Sequence, residues 1–256
     1  MPWDTARDWL LFCVLILAGG MALAPDRENY ARSEAWCIGV AWALAILGGA
    51  VFLTHWLQWP TQWIGVGPAT LALVAAIRWR RQVEFARDPQ VRDVFITWTW
   101  VAAGSLALLA CIFSYSGGTW MGDWEEHFHR PLMLLRLRPE DGFFPGFSFT
   151  SRPPLANAAE AALLWLTDAS FSRHQVFLLL LNSLAFFPAA LWARTFGGGR
   201  AAAASLGLLL LLNPLFLQNS TYAWTKLITV FFVLTGLHVL LARGYERHRV
   251  VTGFAL

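Results

Sequence analysis

Long apolar runs alternate with short polar loops along most of this chain. Seven runs are long enough to cross a bilayer, at about 9–24, 35–56, 63–79, 96–115, 175–193, 201–218 and 223–242. A tilted or slightly short transmembrane helix needs about 17–25 residues, and each run is near that length. In lipid, a spanning segment has to satisfy its backbone hydrogen bonds within itself, so such runs predict helices. The expected fold class is all-α, a polytopic transmembrane helical bundle. No internal repeat or low-complexity linker divides residues 1–256, which predicts a single membrane domain.

Composition strengthens the membrane reading. Hydrophobic residues make up 57% of the chain and charged residues 14%, against about 25% charged in an ordinary soluble domain. The 15 Trp residues suit a protein with two membrane–water boundaries. Cys13, Cys37 and Cys111 all lie in apolar runs without metal or disulfide spacing, and read as small core residues. The net charge of +3 does not indicate nucleic acid, because the basic residues are spread among loops. The N-terminus carries Asp4, Arg7 and Asp8 where a signal peptide would be basic, so residues 9–24 read as a retained first span.

Arginine distribution sets the expected orientation. Arg78, Arg80, Arg81, Arg87 and Arg92 cluster between the third and fourth runs, which assigns that loop to the cytoplasm. Alternation then puts Arg27, Arg32, Arg194, Arg200, Arg243, Arg247 and Arg249 inside and the long loop 116–174 outside. Within that loop, 155–167 is apolar and helix-forming, but short, and it carries Glu160. A crossing there would turn every later arginine loop outward. The stretch therefore reads as an amphipathic juxtamembrane helix on the outer surface.

The outer loop concentrates the candidate chemistry. Asp123, Glu125 and Glu126 stand beside His127, His129 and Arg130 just after the fourth run. A carboxylate there could act as general base on an acceptor hydroxyl; by spacing alone, a solvated acidic loop is the commoner outcome. The histidines are two residues apart rather than the four of a helical zinc motif, so metal is the minor reading. Further along, Arg152-Pro153-Pro154-Leu155 reads as a rigid turn opening a helix. It would hold Arg152 at the helix start as a phosphate clamp, or simply as an interfacial arginine. Lys226, the one lysine among 19 basic residues, sits at the outer end of the last run. It reads as a second phosphate contact or as a lysine snorkelling from a span end.

The order of these features resembles the GT-C glycosyltransferases: a span, an outer loop opening on an acidic motif, a (His/Arg)-Pro-Pro-Leu turn, then short-looped spans. The nearest branch is that of protein O-mannosyltransferases and aminoarabinose lipid A transferases. The resemblance covers roughly 96–245 and includes Arg194-Thr195-Phe196-Gly197 and Asn219-Ser220-Thr221-Tyr222. Residues 1–95 match no known pattern and would form a three-span N-terminal extension. The resemblance implies a GT-C type bundle in which Asp123 is the catalytic acid residue, with Glu125 or Glu126 as the second. Arg130, Arg152, His127, Tyr222 and Lys226 would bind substrate. Relatives carry an acid where this chain has Lys226, so that acid's role does not transfer.

The resemblance thus implies a membrane glycosyltransferase, inverting, taking a sugar from a polyprenyl-phosphate donor to a glycan, lipid or protein acceptor. It would sit multi-pass in a bacterial-type plasma membrane with its active loop outside. The resemblance fixes no cofactor and leaves a divalent cation open. Membrane lipid is an expected partner and nucleic acid is not. The stretch Val250–Leu256 reads as the start of a further span, implying a fragment or a shortened member. A transporter and a non-catalytic scaffold are the rival readings. A transporter would place ionisable groups and broken helices mid-membrane.

Overall fold

The computed structural model describes residues 2–25, 30–112, 122–138, 155–198 and 200–243. Those residues form helices and connections, with no strand among them. The helices are α1 (Pro2–Phe12), α2 (Gly19–Leu23), α3 (Arg32–Trp56), α4 (Val66–Ile77), α5 (Trp79–Arg87), α6 (Pro89–Ala110) and α7 (Asp123–Leu134), followed by α8 (Leu155–Leu166), α9 (Phe171–Ser183), α10 (Phe186–Thr195), α11 (Arg200–Leu212), α12 (Pro214–Thr221) and α13 (Lys226–Arg243). A π-helical stretch, Cys13–Ala18, joins α1 to α2, and a 3-10 turn, Thr61–Gly65, leads into α4.

Three helical stretches are long and apolar enough to cross a membrane: Asp4–Leu23, Arg32–Trp56 and Phe171–Thr195. A fourth qualifies if α11 and α12, bent by 76° at Asn213, are taken as one broken span. The remaining three of the seven expected runs are helical but do not meet the same measure. Two are shorter apolar helices, Thr61–Ile77 and Lys226–Leu241. The third, 96–115, overlaps α6, whose first turns carry Arg92 and Asp93, and its residues 113–115 lie outside the described residues.

Small residues let the central helices approach closely. A Cβ on Gly39 in α3 would overlap the carbonyl oxygen of Gly20 in α2 and stand 2.8 Å from the Ala24 amide nitrogen. Further along α3, a Cβ on Gly48 would lie 2.8 Å from Leu155 Cδ1, at the start of α8. Aromatic rings fill the space beside α3. Trp36 meets Phe187 edge-on at 4.6 Å, and Trp98 lies 5.7 Å from Phe187 and from Trp9. The Trp98 indole donates to Ser183 Oγ at 2.8 Å.

Helix α8 corrects an expectation. Its extent matches the stretch 155–167, but it is not an amphipathic surface helix. Residues 157–164 are all buried, and the helix packs against α3, α7 and α9. Its alanines make it thin enough to sit inside the bundle, and Glu160 is tolerated there because His174 of α9 meets it.

The two ends of the bundle differ in charge. At one end Arg32 pairs with Asp88 at 2.8 Å, and Arg78 donates to the Ala22 carbonyl at 3.1 Å. Arg81 donates to the Pro25 carbonyl there, and Arg194 to the Gln90 carbonyl at 3.2 Å. Helices α9 and α10 run from that end to Phe171, which touches Trp124 at the acidic start of α7. A helix of this length covers roughly 37 Å, so the arginine cluster and the acidic cluster are far apart.

Gly39→Ala tests the closest contact. It should lower stability by about 1–3 kcal/mol, because the backbone of α2 has to move away. Gly49→Ala is the control, since nothing lies within 4 Å of its Cβ position. The thermal midpoint of the purified protein in detergent should fall for the first and hold or rise for the second.

Candidate functional site

Helix α7 opens with three acids in its first turn, Asp123, Glu125 and Glu126. Negative charge is favoured there by the exposed amides and the helix dipole. Asp123 is half-buried, and its Oδ2 accepts a hydrogen bond from the Trp224 indole at 3.1 Å. Lys226 Nζ lies 3.4 Å from the centroid of the same indole ring, a cation–π contact. The Tyr222 ring stacks obliquely on Trp224 at 4.6 Å. Three residues singled out by sequence, Asp123, Tyr222 and Lys226, are thus joined through Trp224, which was not. Burial, and then the negative charge of Asp123, push the Tyr222 hydroxyl above its ordinary pKa.

The loop carrying Trp224 is held by a residue from another helix. Asn182, fully buried in α9, donates from its side-chain amide to the Trp224 carbonyl at 2.5 Å and to the Asn219 carbonyl at 3.3 Å. Its side-chain oxygen accepts from the Ile228 amide at 3.1 Å. One amide side chain therefore closes the gap between α12 and α13 and sets the height of Trp224 against Asp123.

The other predicted site residues fall elsewhere. Glu126 and Arg130, one helical turn apart, form a buried ion pair at 2.6 Å. Arg130 is 1% exposed, so the residue expected as a substrate contact and Glu126, expected as a second acid, are held on each other in this pair. His127 is buried, and its carbonyl accepts from Asn157 Nδ2 at 3.3 Å. That bond has a local cause. Pro131 has no amide hydrogen to give the carbonyl four residues back, and Asn157 of α8 replaces it. Glu125 is half-buried and favours protonation of His129. Arg152 lies outside the described residues. Among the described residues, no group of three or more His, Cys, Asp or Glu side chains is placed to hold a metal ion.

Two further features lie near this end. The first is the Glu160–His174 pair, both groups fully buried, joined through Oε1 and Nδ1 and covered by the rings of Phe128 and Phe171. Among the described residues, His174 Nε2 meets no hydrogen-bond partner. Burial raises the Glu160 carboxyl above its ordinary pKa, and His174 opposes that shift. No sequence signal linked these two residues, which lie 14 apart on different helices. The second is a cavity of about 460 Å³ between α1, the end of α6 and the start of α9. One wall is apolar, with Leu106, Leu109 and Val176; the other holds Asp4, Asp8 and Asp168. Arg173 reaches all three carboxylates.

His129 supplies a pH prediction. Burial, followed by the nearby Arg138 guanidinium, lowers its pKa below the usual histidine value. The folded protein then binds this proton less readily than the unfolded chain. The associated stability is complete above about pH 6.5 and is lost as pH falls through the depressed value. The thermal midpoint should decline on acidification below about pH 6.5, and His129→Gln should flatten that decline. Comparison with known protein families, characterised proteins and solved structures yields no match.

Proposed function

We propose that the chain is a membrane-embedded glycosyltransferase that moves a sugar from a polyprenyl-phosphate donor to an acceptor hydroxyl, with Asp123 as general base. The observation that carries this reading is the group Asp123–Trp224–Lys226. A half-buried carboxylate and an exposed ammonium are held on opposite parts of one indole, at the bundle end away from the arginine cluster. Lipid-phosphate sugar transfer needs this pairing. A carboxylate takes the acceptor proton as the hydroxyl oxygen attacks the anomeric carbon, with inversion. A cation stabilises the phosphate that leaves with the bonding electrons.

Lys226 is the described cation at this group, and Arg152 is the second in the proposal. Tyr222 beside Trp224 offers a ring and a hydroxyl to the sugar. The amphipathic cavity at the same end suits a molecule with polar and apolar parts. Sidedness follows the arginine distribution, so the proposed site faces outside. The resemblance of 96–245 to GT-C enzymes supports the same assignment.

A transporter is the second reading. It is favoured by the 76° break between α11 and α12 and by the buried Glu160–His174 pair, since transporters use broken helices and buried ionisable groups.

Asp123→Asn keeps the shape of the side chain and can still meet the Trp224 indole through its amide oxygen, but it cannot accept the acceptor's proton. Transfer from a polyprenyl-phosphate sugar by the purified protein should fall about 10²–10⁴-fold, with thermal midpoint and donor binding little changed. Trp224→Phe keeps a ring for Lys226 but removes the indole donor. It should slow transfer by about tenfold, the effect of one lost hydrogen bond of about 1.4 kcal/mol. Turnover near normal in Asp123→Asn would remove Asp123 as the base. In the transporter reading, Glu160→Gln would abolish proton-linked uptake into vesicles while Asp123→Asn left it intact.

A further inference from the structure

Helix α5, Trp79–Arg87, has three distinct faces. Phe85 is buried, the Gln82 side chain donates to the Ala75 carbonyl at 2.6 Å, and Arg81 donates to the Pro25 carbonyl. That face holds α5 to the bundle. A second stripe, Trp79, Val83 and Ala86, follows the i, i+4, i+7 spacing of one helix face. It does not cover the core: Trp79 is 58% exposed and Ala86 is exposed as well. The third stripe holds Arg80, Glu84 and Arg87, all exposed. Arg92, just inside the following helix α6, is exposed as well.

The arginines of this end divide into two kinds. Arg32, Arg78, Arg81 and Arg194 bind carbonyls or a carboxylate of the protein itself. The guanidiniums of Arg80, Arg87 and Arg92 make no hydrogen bond or ion pair among the described residues; that of Arg80 only approaches the ring of its neighbour Trp79 at 5.9 Å. The apolar stripe continues into α4, where Leu73 is 62% and Ile77 71% exposed. An exposed apolar wall thus leads into a short helix with an outward aromatic stripe and unpartnered guanidiniums at its edge. That arrangement belongs in the boundary between acyl chains and headgroups.

We propose that α5 lies in the headgroup layer at the arginine-rich end and binds anionic phospholipid headgroups through Arg80, Arg87 and Arg92. The inference rests on the chain residing in a bilayer and is independent of the glycosyltransferase reading. Trp79, Val83 and Ala86 set the depth of the helix, and the guanidiniums fork onto phosphate oxygens. Glu84, within the same stripe, opposes anion binding and limits the site to headgroups that the three arginines outweigh.

The test uses the purified full chain in detergent, titrated with short-chain phosphatidylglycerol, short-chain phosphatidylcholine or inorganic phosphate. Phosphatidylglycerol should raise the thermal midpoint and survive in native mass spectra, more than phosphatidylcholine does, and added salt should weaken the preference. The combined change Arg80→Gln, Arg87→Gln, Arg92→Gln should weaken phosphatidylglycerol binding by about fivefold per arginine, the equivalent of about 1 kcal/mol each. The matching change of all three to Lys should keep most of the binding, which separates charge from folding damage. Hydrogen exchange over residues 79–87 should slow with phosphatidylglycerol and not with phosphatidylcholine. Equal retention of the two lipids, or an undiminished preference in the Gln variant, overturns the proposal. So does inorganic phosphate matching phosphatidylglycerol, because the surface would then be a soluble-anion site.

Discussion

In apolar surroundings, a helix that breaks leaves backbone amides and carbonyls that water cannot reach, and something else has to bind them. That constraint organises this bundle. Asn182 meets it where α12 gives way to α13, satisfying the Asn219 and Trp224 carbonyls and the Ile228 amide. Asn157 meets it at Pro131, and the Trp36 indole at the π-helical stretch, where it donates to the Leu17 carbonyl at 3.1 Å. Asn213 caps α12 by accepting from the Leu215 and Phe216 amides, and with Pro214 next to it sets the bend. An unsatisfied buried group costs about 1–3 kcal/mol, so each of these polar side chains decides whether its irregularity can exist.

The candidate site is a consequence of those irregularities. Trp224 reaches Asp123 because the chain between α12 and α13 leaves the helical path, and Asn182 fixes where it does so. A continuous helix through 214–243 would put Tyr222 and Lys226, four apart, on one face and turn Trp224 to another, since residues two apart do not face each other. The open turn brings them onto one indole. Helix α7 contributes in the opposite way, through regularity: its first turn gathers three acids where the amides favour them. The Glu126–Arg130 pair then neutralises one of these within the helix.

The two ends also differ in how they treat charge. At the acidic end several charges are held on partners within the chain, as Arg173 is on three aspartates and Glu160 is on His174, while Lys226 stays exposed. At the other end, part of the arginine set ties helices together and part remains outward on α5. Burial explains the contrast. A charge inside the bundle has to be paired or neutral, whereas one at a headgroup boundary finds counter-charge in the lipid.

The sequence by itself determined the helical class, the apolar stretches, and the clustering of arginine at one end and acid at the other. These depend on local composition and on chain alternation, which are visible without contacts. Lys226 at the start of the last helix was legible for the same reason, whereas Asp123 was expected in an outer loop and stands instead in the first turn of a helix. Tertiary structure alone decided what those residues meet. Trp224 looked like one of many aromatic residues, and only its approach to α7 makes it the link between Asp123 and Lys226. The 155–167 stretch was short, carried Glu160, and by crossing would have turned every later arginine loop outward, which suggested a surface. Its burial depended on Gly48 opposite Leu155 and on His174 opposite Glu160, neither of which local pattern reveals. Helix breaks were likewise hidden from hydropathy, and three or four stretches, against seven expected runs, stay long and apolar enough to cross a membrane. A run of apolar residues fixes the preference for a dry environment, but whether lipid or neighbouring helices supply it is decided by packing.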